Sequence, residues 1–470
     1  MKKLPTRRAA CILSGVKLLP LALTFLVLAS GATPIFAATD AASTLGEKKR
    51  GNKAPGAVEG DWRAGAQARI EKHRKAPLRV VVTQNGRPVP GVQVQIDQTR
   101  SEFLFGCNIF KLNQCGSRER DAAYAKYFAD IFNFATAGFY WSSYEPRKGD
   151  TKSGRNRNEQ IAKWCAERGI RLKGHTLFWN YYDPAWAKGV DDAELYSRQL
   201  QHCKNSVEQF SGKISVWDVV NETTEWDTED RHNRSPRATR FLREKGVANV
   251  IKDCFAAARS ADGKALMLVN DYEKTEAFAK RLEELVGPDG KPIYDAIGMQ
   301  SHMHDKVWSN EQIWEICERL ARFKKPIHFT ELTILSSLGK FVWLGRNDAK
   351  KTTPEGEAWQ SEQLERVYTM LFSHPSVEAI TWWDFTDLDA WMGCCGGLLR
   401  SDMTPKPAYE TLRKLITNTW ATHKTLRTNA MGVAELRAFR GDYTVRATLP
   451  DGKVIERKLS LGKTGAEVRL

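Results

Sequence analysis

Two periodicities alternate along residues 102–418. Short, nearly continuous apolar runs occur at 103–110, 131–137, 171–179, 215–222, 265–272, 296–303, 326–333 and 379–386. They read as strands buried on both faces. Between them, over 121–128, 158–168, 193–210, 238–260, 275–285, 310–323 and 358–372, apolar residues recur at three- and four-residue spacing. That is the spacing of amphipathic helices. Eight such repeats in roughly three hundred residues predict a parallel sheet closed into a (β/α)8 TIM barrel. An open doubly wound sheet has the same alternation. It usually carries a glycine-rich phosphate loop after its first strand, and none is present here.

Outside that region the pattern changes. Residues 61–75 have the spacing of a short amphipathic helix. Runs 78–83 and 92–96 then alternate apolar and polar positions about Asn85-Gly86-Arg87-Pro88. That predicts a half-buried β ribbon. After about residue 418 the chain is again strand-like, with Asp451-Gly452 as a hairpin turn. Both terminal segments are small, and they are expected to pack together as one accessory β module. The division read from the chain is a signal peptide at 1–38, a linker at 39–60 and the helix with its ribbon at 61–101. The barrel follows at 102–418 and a C-terminal β segment at 419–470.

Composition narrows the setting. The formal net charge is +15, and five of the positive charges lie within residues 1–37, which hold no acid. This basic start precedes an apolar stretch and a small-residue exit at Ile35-Phe36-Ala37, the order of a secretory signal. The expected address is secreted or periplasmic, with no membrane segment after cleavage. The basic balance without zinc-finger spacing or an RNA-binding aromatic signature implies a solvated surface, not a nucleic-acid partner. Nine cysteines include no CxxC pair, so no metal site is expected. Export permits disulfides, and Cys107 with Cys115 is the pair to consider; Cys165, Cys203, Cys254 and Cys317 read as buried thiols. No metal or organic cofactor is implied, and a monomer is expected. Fifteen tryptophans suit either a large core or flat platforms for sugar rings.

The candidate chemistry lies at the strand ends. In this fold the active site forms at the C-terminal ends of the strands. There the chain places His175 and Trp179, Asn221 and Glu222, Asn270, Asp271 and Tyr272, Gln300 and His302, Glu331, then Trp382 and Trp383. Any one of these suits a satisfied core position; six strands ending this way do not. Glu222 and Glu331 each close an apolar strand, the fourth and the seventh. Two carboxyls facing one cleft can cleave a glycosidic bond. A separation of about 5–5.5 Å gives retention and about 6.5–9.5 Å gives inversion, and both fit a barrel mouth. Asn221 is placed to bond a sugar hydroxyl, His302 to hold Glu331 ionised, and Trp383 with Trp391 to wall the rings.

At these residues the chain resembles glycoside hydrolase family 10, the retaining β-1,4-xylanases, over about residues 100–418. The motifs are Gly174-His175-Thr176-Leu177-Phe178-Trp179, Trp217-Asp218-Val219-Val220-Asn221-Glu222, Asn270-Asp271-Tyr272, Gly298-Met299-Gln300-Ser301-His302, Thr330-Glu331-Leu332 and Ile380-Thr381-Trp382-Trp383 with Asp387 and Trp391. Lys406-Pro407-Ala408-Tyr409 also looks like the family. The resemblance implies Glu222 as general acid/base and Glu331 as nucleophile. It places His175, Asn221, Gln300, His302 and Trp383 around the sugar that is cut, and it implies retention. Three stretches depart from the family. After Thr136 the usual Glu-Asn-x-Met-Lys-Trp becomes Ala137-Gly138-Phe139-Tyr140-Trp141, Asn180 stands where His is common, and Thr333 where Asp is common. Phe139, Tyr140 and Trp141 are expected to reshape the neighbouring sugar site toward a short or decorated substrate. The reading is a secreted retaining hydrolase of xylan-type polysaccharide or oligosaccharide. The alternatives are a glycosidase for another β-glycan and a carbohydrate-binding barrel that does not turn over.

Overall fold

Each predicted apolar run forms a strand in the computed structural model, which describes residues 61–181, 183–226, 236–339, 341 and 350–470. The expected signal and linker lie outside these residues. The barrel strands are β1 (Leu104–Asn108), β2 (Phe134–Gly138), β3 (Arg171–Phe178), β4 (Val216–Asn221), β5 (Leu266–Asp271), β6 (Ala296–Met299), β7 (Ile327–Ile334) and β8 (Val377–Trp382). Neighbours pair in parallel in chain order, and β8 pairs with β1 to close the ring. The strands are buried on both faces because helices cover the outside and side chains fill the lumen. Phe134, Val216, Leu268, Ala296 and Ala379 form an apolar cluster toward the N-terminal ends. The C-terminal ends are left for polar groups.

Three local departures matter. The helical run 238–260 is broken at Gly246 (φ +84°) into Pro236–Lys245 and Val247–Ala261. The run 296–303 is interrupted at Ser301 (φ +65°), and His302–Met303 resumes against Thr333 and Ile334 of β7. That kink carries His302 toward Glu331. The run 379–386 leaves the sheet after Trp382, with Asp384 at φ +68°. Cys107 and Cys115 are buried thiols and form no disulfide. The motif lysine Lys406 is fully buried and ion-pairs with Asp387 at 2.7 Å, pinning the chain that follows β8.

The ribbon reading requires a correction. Asn85 and Gly86 both have positive φ and turn a small hairpin between Thr83–Gln84 and Arg87–Pro88. The flanking strands do not pair with each other. Lys75–Val81 lies between Val433–Phe439 and Ala466–Arg469, and Gln93–Ser101 lies between His423–Arg427 and Gly441–Thr448. Gly441–Thr448 continues to Val454–Leu461 around the Asp451-Gly452 turn. Each N-terminal strand is thus central in a sheet whose other strands come from the C-terminus, with a shared core including Leu78, Val80, Val94, Ile96, Tyr443 and Val445. Arg74, at the end of helix Trp62–Arg74, ties this module to the barrel. Its buried guanidinium donates to the carbonyls of Phe372, His374 and Val377 at 2.5–2.7 Å. Burial pushes it down to about 9.

Candidate active site

The β4 end is built to present Glu222. Asn221 is the last strand residue, and Glu222 follows in the left-handed region (φ +60°). A non-glycine residue there is held by its surroundings. Trp226 Nε1 donates to the Asn221 carbonyl at 2.9 Å. Asp271, from the end of β5, accepts from Thr224 N, Thr224 Oγ1 and Thr223 Oγ1 at 2.9–3.2 Å. The turn is therefore clamped on both sides of the carboxyl.

A web of side-chain amides joins the two glutamates. Gln300 Nε2 and Asn221 Nδ2 donate to Glu222 Oε1 at 2.9 and 3.2 Å, and Trp179 Nε1 donates to Glu222 Oε2 at 2.9 Å. Asn270 Nδ2 reaches both Asn221 Oδ1 at 2.7 Å and Glu331 Oε1 at 2.8 Å. Gly298 explains how Asn270 lies so low: a Cβ there would come 2.4 Å from Asn270 Oδ1. His302 Nε2 meets Glu331 Oε2 at 3.1 Å, and its Nδ1 meets Thr333 Oγ1 at 3.0 Å. His175 Nε2 lies 3.9 Å from Glu331 Oε1.

The same side chain is set oppositely at the two positions. Burial, reinforced by Glu331 and Asp271, pushes Glu222 up to about 8 despite the bonds from Gln300 and Trp179. Burial also acts to raise Glu331, but the pull of His175, the bond from His302 and the Lys173 charge outweigh it and hold Glu331 below its ordinary value. One carboxyl keeps its proton at neutral pH while the other is ionised. That is a proton donor beside an anionic nucleophile.

The aromatic wall is partly as expected. Trp383 stands edge-on to Phe110, His175 and His302. Trp391 is 37% exposed and lies over His302 at 4.7 Å between ring centroids. Tyr272 follows the end of β5 and is 36% exposed. Of the rewritten β2 end, one residue of the three reaches the site. Phe139 packs on Trp217 and Phe210, and Trp141 on Trp186 and His202, both as core. Tyr140 sets its ring against His175 and Trp179 at 5.3 and 5.9 Å. Burial and the charges of Glu331 and Glu222 push its phenol well above the usual range.

The structure brings the expected His175, Trp179, Asn221, Gln300, His302 and Trp383 together around the two glutamates. The sequence reading assigned no particular role to Lys173, Asp218, Asn270 or Asp271, and it expected Tyr140 at the neighbouring sugar site. Period-two alternation along β3 and β4, which puts Lys173 on the His175 face and Asp218 in register with it, is the signal that finds two of them.

A parallel eight-stranded barrel with two amide-bridged glutamates at its C-terminal mouth defines a glycoside hydrolase scaffold. The chain belongs to glycosyl hydrolase family 10, whose family model matches residues 97–415. It is 26% identical over 397 residues to an anti-sigma-I factor, RsgI6, of Acetivibrio thermocellus, covering 83% of this chain and 47% of that one. It is 26% identical over 336 residues to endo-1,4-beta-xylanase 5-like of Arabidopsis thaliana, covering 68% and 52%. The chain thus spans about half the length of these curated relatives. The crystal structure of xylanase 10B from Thermotoga petrophila with xylobiose has the same fold, with TM-score 0.55 and 22% identity over 68% of this chain and 95% of that one.

Proposed function

We propose that the protein hydrolyses β-1,4-xylosidic bonds of a xylan-type glycan with retention, by double displacement. The observation that carries this reading is the amide web that bridges two glutamates at one mouth, in surroundings that favour the protonated form of Glu222 and the ionised form of Glu331. Glu331 attacks the anomeric carbon while Glu222 gives its proton to the leaving oxygen. Glu222, now ionised, then takes a proton from the water that cleaves the glycosyl ester. Asn221 keeps one amide N–H beyond the one it gives Glu222, and offers it to a sugar hydroxyl. Family membership and the likeness to the Arabidopsis endo-1,4-beta-xylanase support a xylan-type substrate. Export to a secreted or periplasmic address is part of the same reading, supported by the order of residues 1–38.

Tyr140 favours one refinement, a short or decorated substrate. Its ring fills space beside His175 at the β2 end, where Ala137-Gly138 supply no long polar side chain. Product profiles on xylan, xylo-oligosaccharides and other β-glycans test the whole reading, with Glu222→Ala and Glu331→Ala as controls. Proton NMR of the first-formed anomer reads stereochemistry. Turnover of another β-glycan in place of xylan would move the substrate assignment. Binding without turnover, unchanged in Glu331→Ala, would replace the enzyme by a binding barrel.

A further inference from the structure

Two histidines face Glu331, and their far sides differ. His302 backs onto the neutral hydroxyl of Thr333. His175 backs onto a carboxylate, with Nδ1 2.9 Å from Asp218 Oδ2. The same oxygen is ion-paired with Lys173 Nζ at 2.6 Å, and both side chains are fully buried. Lys173 precedes His175 by two residues on β3, so the two point into the lumen together, one layer apart. Asp218 is in register with His175 on β4. An ammonium carried into a barrel interior is a poor device for stability, since an apolar residue of similar volume avoids its desolvation. Its placement, one step from a histidine that touches the reacting carboxylate, points elsewhere.

We propose that Lys173 is a positioning residue for the reaction. Through Asp218 it fixes the His175 ring against Glu331, and through space it keeps Glu331 ionised. The proposal rests on the reading of Glu331 as nucleophile. Around Glu331 stand His175 from β3, Glu222 from β4, Asn270 from β5, His302 after β6 and Tyr140 after β2. Asp384, after β8, acts on His302. Glu222 holds its proton near neutral pH, so Lys173 beneath and the two histidines oppose the burial of the Glu331 charge. Lys173 itself is among the groups that lower Glu331.

Removing a nearby cation raises a carboxyl pKa, so the acid limb of kcat/KM must move to higher pH. The experiment uses the full chain and an aryl β-xylobioside with a nitrophenol leaving group, which needs little protonation. Lys173→Met should shift the acid limb upward by about one pH unit. Lys173→Arg should restore it. If Lys173→Met does not fold, Lys173→Gln, which keeps an N–H donor for Asp218 but removes the charge, should shift the limb in the same direction. A folded variant with an unmoved limb overturns the proposal. The side-chain 13C resonance of Glu331, assigned by its loss in Glu331→Gln, reads the same displacement without turnover. No hydrolysis by the unaltered chain would count against the function proposed above. An active chain whose Glu331 titration ignores Lys173 would count against Lys173 alone.

Discussion

At Glu222, burial and the nearby carboxylates outweigh the hydrogen bonds from Gln300 and Trp179, and at Glu331 two histidines reverse the balance. A bell-shaped pH dependence of kcat/KM follows. Activity rises as Glu331 ionises, below the ordinary carboxylate value, and falls near pH 8 as Glu222 loses its proton. An alkaline limb that stays flat through pH 8 on substrates with poor leaving groups would contradict this. Glu331→Ala should lose roughly 10⁴-fold or more in kcat. Glu222→Ala should lose roughly 10²–10⁴-fold on xylan but little in the first step on a dinitrophenyl glycoside. The same shift makes a stability prediction. A carboxyl whose folded pKa lies above its unfolded value costs stability as pH rises between the two. Glu222→Gln should therefore melt higher than the parent, with a difference that is absent below about pH 4 and grows until about pH 8. Thermal melts across that range check it.

The elements matter through their ends. Asp271 takes no part in the bond-breaking, yet it holds the turn that aims Glu222. Burial pushes it up to about 6. Asp271→Ala leaves those donors unpaired, which should cost about 1–3 kcal/mol in stability and lower kcat more than it changes KM. Urea unfolding and steady-state kinetics separate the two. Gly298→Ala should displace Asn270 and loosen both glutamates, because the added methyl would sit 2.4 Å from its amide oxygen. A crystal structure of that variant with Asn270 unmoved would refute the account. These roles were only half legible in the chain. The strand that ends in Asn221-Glu222 is plain from its apolar run. The break at Ser301 that swings His302 under Trp391 has no glycine to announce it.

On the scale of the whole molecule, the ends of the chain are woven together. Two N-terminal strands are the central strands of sheets completed from the C-terminus. Deleting residues 423–470 strips both of their partners and uncovers Leu78, Val80, Val94 and Ile96. The truncated chain is expected to be insoluble or to melt well below the parent, and an unchanged melting temperature would show the module to be independent of these pairings. The described part of the module exposes Met431 and Val454 but no aromatic ring among its large apolar residues. Its architecture is thus that of a brace, joined to the barrel through Arg74 and the carbonyls at the end of helix Pro354–Ser373.

The sequence by itself determined the barrel, because each strand is buried on both faces and each helix on one, so periodicity records the environment directly. It also determined the two glutamates, since a polar residue closing an apolar strand has one place to go in this fold. Pairing was decided only in three dimensions. The two strands beside Asn85-Gly86 have the pattern of a ribbon, but alternation says which face is buried and not which strand lies alongside. The charge states were decided there too. Glu222 and Glu331 are the same residue in one dimension. What separates them is that His175 and His302 converge on one while Asp271 and the other glutamate crowd its partner. The same holds for Tyr140, whose neighbours Phe139 and Trp141 turn into the core while it alone turns toward His175.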